Sequence, residues 1–94
     1  MALRKIRRWF DGDSGEFSNG DQFRLAEVRA PEKHQFGGSK ATRRVAGMTG
    51  RSNGKVNVRA VARDSYGRSV VYMSNKDGSV NQRMKQRGCR SKGK

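Results

Sequence analysis

The sequence predicts a mostly β protein (α+β): a five-stranded antiparallel barrel with one inserted helix and one C-terminal helix. Three observations support this fold. Apolar and polar residues alternate over 55–63, as in a half-buried strand. Asn19-Gly20 is a strong hairpin signal, because a type I′ turn needs positive φ at both central positions. Clusters rich in Gly, Asn and Asp separate short apolar segments along the 94 residues, which is typical of several short strands.

The first three strands follow in chain order. Residues 3–10 mix basic and apolar side chains and form the first strand, which a turn at 11–14 separates from a short second strand at 15–18. The third strand covers 21–28 and carries several core candidates. It ends before Pro31, because proline cannot donate a hydrogen bond to a ladder.

A helix is expected between the third and fourth strands. Ser39 is the predicted N-cap, and the helix runs through Ala41, Val45 and Met48. Two glycines, at 47 and 50, weaken its far end because glycine is a poor helix former.

Strands at 55–63 and 68–73 come next, and a second helix begins at Val80. Ser79 and Gln82 have the spacing of a capping box, in which each side chain satisfies a backbone N–H of the first turn. Five strands with a helix after the third and another at the end are the order of an OB-type barrel, whose closure removes exposed strand edges.

One domain accounts for this length. Gly88 is the expected C-terminal glycine of the second helix, so residues 1–88 are predicted to form the barrel domain. Residues 89–94 are predicted to be a basic, disordered tail. A single cysteine makes no intramolecular disulfide, and together with a single histidine it makes no zinc site.

Charge indicates the class of partner. The chain has 22 Lys and Arg against 8 Asp and Glu, a formal net charge of +14, which strongly attracts polyanions. Nucleic acid, DNA or RNA, is therefore the expected partner. No apolar run approaches the roughly 20 residues that span a bilayer, and no signal peptide is visible. The expected location is cytoplasmic, with secretion open if a leader has been removed.

Three clusters carry residue types suited to phosphodiester chemistry. The first is the carboxylate pair Asp11 and Asp13, the second is Arg24 with Glu32, and the third is a turn that ends in Arg68. Carboxylates hold a hard cation that neutralises phosphate, and one carboxylate can take the proton of an attacking water. Arginine binds phosphate oxygens bidentately and stabilises charge in the transition state. Each cluster alone is also compatible with an ordinary turn or a solvated side chain.

The order and spacing of these clusters resemble the staphylococcal nuclease (thermonuclease-like) domain family, over about residues 4–88. The resemblance implies a five-stranded OB barrel with helices and metal-dependent cleavage of nucleic acid. The matching segments are Asp11-Gly12-Asp13-Ser14, Phe23-Arg24-Leu25, Ala30-Pro31-Glu32, Asp64-Ser65-Tyr66-Gly67-Arg68, Gly78-Ser79-Val80-Asn81 and Arg87-Gly88.

The resemblance also implies roles for single residues. Asp13 is the implied metal ligand, Asp11 lies close to the metal, and the backbone carbonyl of Ala30 helps to hold it. Arg24 and Arg68 match the two arginines that hold the scissile phosphate. The implied cofactor is a divalent cation, Ca²⁺.

Further roles concern the attacking water and the nucleic acid. Glu32 matches the glutamate that acts as general base, and Tyr66 matches a tyrosine near the bound nucleotide. Lys33, Arg87 and Arg29 are predicted contacts to nucleic acid, since each adds a positive charge near the matched motifs or in the basic C-terminal segment.

Arg29 is the departure from the family pattern that bears most on function. The family usually carries an aspartate there as a direct metal ligand, so the replacement changes the local charge by two units. Cation affinity follows carboxylate count, and we expect weak calcium binding. Two outcomes are open: Arg29 turns away and pairs with Glu27, or its guanidinium contacts phosphate at a site that cuts slowly.

Three functions are compatible with these features to different degrees. The first is a metal-dependent nuclease, and the second is a catalytically weak or inactive nucleic-acid-binding module of the same fold. A small basic structural protein explains the charge but not the motif set. Domains of this family often continue into a further helix that packs under the barrel, and without such a helix we expect apolar surface to be exposed. The apolar surface left exposed suggests a homodimer.

Overall fold

The computed structural model describes residues 2–30, 37–50 and 53–86. Within these ranges the predicted strand at 55–63 is found with the same bounds. The elements are, in chain order, β1 (Ala2–Asp11), β2 (Ser14–Phe17), β3 (Gln22–Leu25), α1 (Gly38–Gly50), β4 (Lys55–Arg63), β5 (Ser69–Asn75), β6 (Gly78–Ser79) and α2 (Val80–Gln86).

The strands form one sheet that closes on itself. Their order is β3-β2-β1-β4-β5-β6, and an additional β3–β5 pairing joins the first five into a ring. Neighbouring strands are antiparallel, except that β3 and β5 close the ring in parallel. The predicted five-stranded OB-type barrel with one inserted and one C-terminal helix is confirmed, and the parallel closing pair is a feature that the sequence did not reveal.

Alternate residues of the strands fill the barrel, as the period of two requires. Phe23 of β3 is fully buried at its centre. Its ring stacks on Phe17 at a centroid distance of 4.5 Å and receives the edge of Trp9 at 5.0 Å. Val45 of α1 and Met84 of α2 are buried in the same cluster, so both helices pack against the barrel core.

β3 ends earlier than the predicted boundary at residue 28, and its last residue is Leu25. Glu27 has a φ of 62°, in the left-handed region that a non-glycine residue rarely occupies. Its carboxylate accepts hydrogen bonds from the hydroxyl of Tyr72 and, at 2.9 Å, from Nζ of Lys85. These contacts to β5 and α2 stabilise the turn, and they were not visible in the local sequence.

α1 begins before the predicted N-cap and extends through its glycines. The carbonyl of Gly37 accepts the helical hydrogen bond from the N–H of Ala41 at 3.0 Å, so Gly37 is the N-cap and Ser39 lies inside the first turn. The helix continues to Gly50, because one face of it, including Val45, is held against the core.

α2 begins where the capping pair predicts. The N–H of Gln82 donates to Oγ of Ser79 at 3.1 Å. Gly88 and the predicted tail at 89–94 lie outside the described residues. Neither of the described helices has the length and apolar character needed to cross a membrane.

Candidate active site

The turn between β1 and β2 is built on a glycine that has no room for a side chain. Asp11 pairs with Ser14 in the ladder, and the Ser14 hydroxyl donates to Oδ1 of Asp11 at 2.6 Å. A Cβ at Gly12 would lie 2.6 Å from Cβ of Ala30 and 2.9 Å from Cβ of Ala41. The glycine therefore lets the segment after β3 and the first turns of α1 approach the two aspartates.

Asp13 lies half-buried beside Asp11. Its Oδ2 accepts a hydrogen bond from the N–H of Ala30 at 3.3 Å. Burial, together with the hydrogen bond and negative charge of Asp11, raises the pKa of Asp13 to about 7, although the Ala30 N–H and the charge of Arg24 act in the opposite direction. The structure thus brings together the three residues predicted for the metal site.

Arg24 lies on β3 between the carboxylate turn and the start of β5. It pairs with Ser14 in the β2–β3 ladder and with Val70 in the parallel β3–β5 ladder. Neighbouring strands lie about 4.8 Å apart. Because Arg24 lies between Ser14 on β2 and Val70 on β5, the backbones at Ser14 and Val70 are about 10 Å apart. Arg68 lies two residues before Val70, immediately ahead of β5. The charge of Arg24 acts on Asp13, so this arginine lies near the carboxylates.

The turn between β4 and β5 holds Arg68 through a carboxylate. Oδ2 of Asp64 accepts from Nε of Arg68 at 2.7 Å, and its Oδ1 accepts from the N–H groups of Arg68 and Tyr66 at 2.9 and 3.0 Å. Partial desolvation opposes the charged form, but these bonds and the Arg68 charge together lower the pKa of Asp64. Among the described residues the ion pair uses Nε of Arg68, which leaves its terminal nitrogens for an oxyanion.

Tyr66 stands beside this arginine at the edge of the barrel. The Tyr66 side chain is 84% exposed, and Cζ of Arg68 lies 5.4 Å from its ring centroid. Stacking of this kind orients a guanidinium while it leaves one face of the aromatic ring open to a ligand.

Arg29 is exposed, and it does not form the predicted pair with Glu27. The prediction assumed that both residues share one face of a strand, whereas β3 has already ended at Leu25. Glu27 is bonded to Tyr72 and Lys85 instead, and these hydrogen bonds lower the pKa of Glu27. The first of the two outcomes left open for Arg29 is therefore wrong.

Three further predicted residues, Glu32, Lys33 and Arg87, lie outside the described residues. Within the described part of the chain, no group of three or more His, Cys, Asp or Glu side chains is placed to hold a metal ion. The carboxylates that the structure brings together there are Asp11 and Asp13.

Asn81 contributes to the site indirectly, and its role was not predicted. Its side chain is 1% exposed. Its Nδ2 donates to the carbonyls of Ala26 and Val71 at 2.9 and 3.0 Å, and its Oδ1 accepts from the N–H of Met73 at 2.8 Å. The amide ties α2 and β5 to the start of the segment that leads to Ala30. A polar residue between buried Val80 and Met84 was the available sequence signal.

Comparison with known proteins identifies the family. The family model described as "Staphylococcal nuclease homologue" matches residues 22–92, which is well over half of the chain. A search of curated proteins finds no match. The matched range begins at β3 and includes Arg24, Arg68 and Asn81.

Proposed function

Since the chain belongs to the staphylococcal nuclease homologue family, we propose that it is a metal-dependent nuclease that hydrolyses phosphodiester bonds of DNA or RNA. The observation that supports this proposal most is the proximity of Asp11 and Asp13 to the positive charge of Arg24. A protein that only binds a polyanion gains nothing from two converging carboxylates, because they repel phosphate. A divalent cation between carboxylates and phosphate removes that repulsion.

The donor set fits a hard divalent cation. Burial and mutual proximity disfavour the ionised form of Asp13 beside Asp11, and a bound cation would relieve both effects. Calcium, the cation typical of this family, takes oxygen ligands, which these two side chains and the carbonyl of Ala30 would supply. With few carboxylates, binding would be weak. When bound, the cation neutralises phosphate charge and lowers the pKa of a nearby water.

The chain's own residues would carry the remaining steps. Arg24 and Arg68 bind oxygens of the scissile phosphate and stabilise the charge that develops during attack by water. Asp64 orients Arg68 by holding its Nε, and Tyr66 contacts the nucleotide next to the phosphate. Glu32 takes the proton from the attacking water as general base. The water oxygen bonds to phosphorus while the bond between phosphorus and the sugar oxygen breaks, and the leaving sugar oxygen takes up a proton from solvent.

A second candidate function is a nucleic-acid-binding module with weak or no cleavage. Arg29 favours this alternative, because it is exposed and not paired with Glu27. A guanidinium close to Ala30 lowers the affinity for a cation and raises the affinity for phosphate. The protein would then hold a strand without activating water efficiently.

The experiment that separates these functions is a cleavage assay on single-stranded DNA and RNA, with calcium, magnesium, manganese or a chelator. We expect metal-dependent cleavage that Arg68→Ala reduces by about 10²–10³-fold, the effect of losing one group that stabilises transition-state charge. Lys76→Gln is the matched control, since Lys76 is an exposed cation in the turn between β5 and β6. Both variants should keep the unfolding temperature within a few degrees of the natural chain.

Arg29→Asp tests the alternative in the same assay. It restores a carboxylate and should raise both calcium affinity and cleavage rate. If the natural chain shows no cleavage with any cation and Arg29→Asp cleaves, the result would support the binding module. Full cleavage by Arg68→Ala would reject the proposed role of that arginine.

A further inference from the structure

A second feature at the β1–α1 contact lies away from the carboxylates. A groove of about 310 Å³ runs between β1 and the C-terminal half of α1, lined by Arg7, Arg8, Trp9, Ala46, Gly50 and Gly54, among others. Trp9 is three residues before Gly12, so the groove is about 10 Å from the carboxylate turn at 3.3 Å per residue. A nucleic-acid strand held at the carboxylate turn can therefore reach the groove.

A β-bulge places two arginines side by side at this groove. Ile6 and Trp9 both pack against the core although they are three residues apart, which strict alternation forbids. The ladder with β2 shifts register between Ile6 and Arg8, so Arg7 is the extra residue. Both guanidinium groups reach Glu16, at 3.9 and 3.3 Å, and their side chains remain 54% and 59% exposed. Two arginines against one carboxylate leave a positive charge.

Further lysines extend this charge along the groove. Lys5 lies directly opposite Lys55 in the β1–β4 ladder, and both are exposed. Like charges at opposed positions raise the local positive potential, which attracts an anion. A Cβ at Gly54 would lie 3.9 Å from Cγ of Lys5, which places the lysine stem at the end of the groove.

On its α1 side, the groove lies beside a cationic residue at one end and is open at the other end. Arg43 lies one turn before Ala46, and α1 has no acidic residue. Among the described residues, a Cβ at Gly50 would have nothing within 4 Å. The half-buried ring of Trp9 forms a wall, and its Nε1 donates to Oγ1 of Thr49 at 3.1 Å, so the polar edge is satisfied and the ring is held in place. An aromatic wall in a cationic groove is the combination that single-stranded nucleic acid binds.

We propose that this groove binds a nucleotide of the single-stranded nucleic acid whose scissile phosphate lies at the carboxylate turn. Its base contacts Trp9, and its phosphate lies against Arg7 and Arg8. The inference rests on the proposed function for its substrate, but it concerns binding and not cleavage. It predicts that affinity increases with strand length once a strand reaches from the turn to the groove.

The test uses the intrinsic fluorescence of Trp9, the single tryptophan of the sequence, in chelator so that no strand is cut. A thymidine dinucleotide and an oligothymidylate of about twelve nucleotides, within the range of OB-fold site sizes, are the probes. The longer strand should bind more tightly and change Trp9 emission at a lower concentration than the dinucleotide.

Variants then separate the groove from general charge. Gly50→Phe fills the groove and should weaken binding of the long oligothymidylate by about tenfold, as expected for one lost base contact. Gly47→Phe is the matched control, because an added Cβ at Gly47 also has no described residue within 4 Å, and Gly47 does not line the groove. Arg7→Gln should reduce the slope of log affinity against log salt by about 1, whereas Lys76→Gln should leave the slope nearly unchanged.

Each outcome decides the inference separately from the proposed function. Equal binding by Gly50→Phe and Gly47→Phe, with unchanged Trp9 emission, would overturn the groove even if the natural chain cleaves DNA. A tenfold loss confined to Gly50→Phe would support the groove even if no cation gives cleavage. Trp9 emission that changes with protein concentration would assign the groove to a second copy of the chain. Emission that changes with polyglutamate but not with oligothymidylate would assign it to an acidic peptide. Either result would overturn the proposal.

Discussion

Gly12 and Gly50 lie at the two ends of the contact between β1 and α1, and their surroundings are opposite. An added Cβ at Gly12 would lie 2.6 Å from Cβ of Ala30, whereas one at Gly50 would meet nothing within 4 Å in the part of the chain that the structure describes. The first end is closed by packing around two carboxylates, and the second is an open groove beside two arginines. One strand–helix pair thus provides a rigid end suited to chemistry and an accessible end suited to binding.

The largest expected effect comes from adding a methyl group at the closed end. Gly12→Ala forces Ala30 and Ala41 apart, and we expect a loss of about 2–3 kcal/mol in the free energy of unfolding. Cleavage should be lost too, because Asp13 is hydrogen-bonded to the displaced Ala30. Gly50→Ala is the matched control and should change stability by about 0.5 kcal/mol or less. Urea unfolding measures both, and equal effects would remove the contrast between the two ends.

A smaller effect is expected when a buried support of the closed end is removed. Asn81→Ala leaves the carbonyl of Ala26 without its side-chain partner and should cost about 2 kcal/mol of unfolding free energy. The cleavage rate should fall by a larger factor than the affinity of the groove for oligothymidylate. The reason is that the segment from Ala26 to Ala30, which contacts Asp13, loses a support. Asn57→Ala, at an exposed position of β4, is the control. A parallel loss of cleavage and groove binding would indicate general destabilisation instead.

The smallest expected effect is a pH-dependent gain in stability. Burial raises the pKa of Asp13 to about 7, against about 3.9 in an unfolded chain. The folded state therefore binds the proton more tightly, and stability falls as pH rises through about 7. Asp13→Asn keeps an oxygen for Ala30 but cannot ionise.

In chelator, Asp13→Asn should raise the unfolding temperature by a few degrees at pH 8, since solvent screens part of the effect at this half-buried site. The gain should disappear near pH 4. Excess calcium should reverse the difference at pH 8 by stabilising the natural chain alone. A gain that is independent of pH would show that the ionised carboxylate is not the cause.

Much of the fold was predictable because burial of one strand face has a period of two. The alternation at 55–63 predicted β4 with its observed bounds. The first strand is also found where it was predicted, but the period of two does not show its bulge, where Ile6 and Trp9 are both turned toward the core three residues apart. The predicted end of the third strand was wrong, because the left-handed Glu27 follows Leu25 and ends the strand. In both places the chain follows distant contacts and not its local pattern.

The candidate site was predictable to the extent that its residues form local motifs. Asp11 and Asp13 share one turn, so their proximity follows from the chain itself. The place of Arg24 beside them depends on the β2–β3 register, which no local pattern specifies. Glu32, the proposed general base, lies outside the described residues, so its role stays a prediction.

The sequence by itself determined the strongly basic character of the protein, its strand pattern and its motif residues, because each of these depends on composition or short spacing. Only the tertiary structure decided the partners of Glu27, the bulge at Arg7 and the open groove beside Trp9. These depend on contacts such as those of Glu27 with Tyr72 and Lys85, 45 and 58 residues away along the chain. Their formation depends on how the barrel closes and packs, which no local pattern encodes.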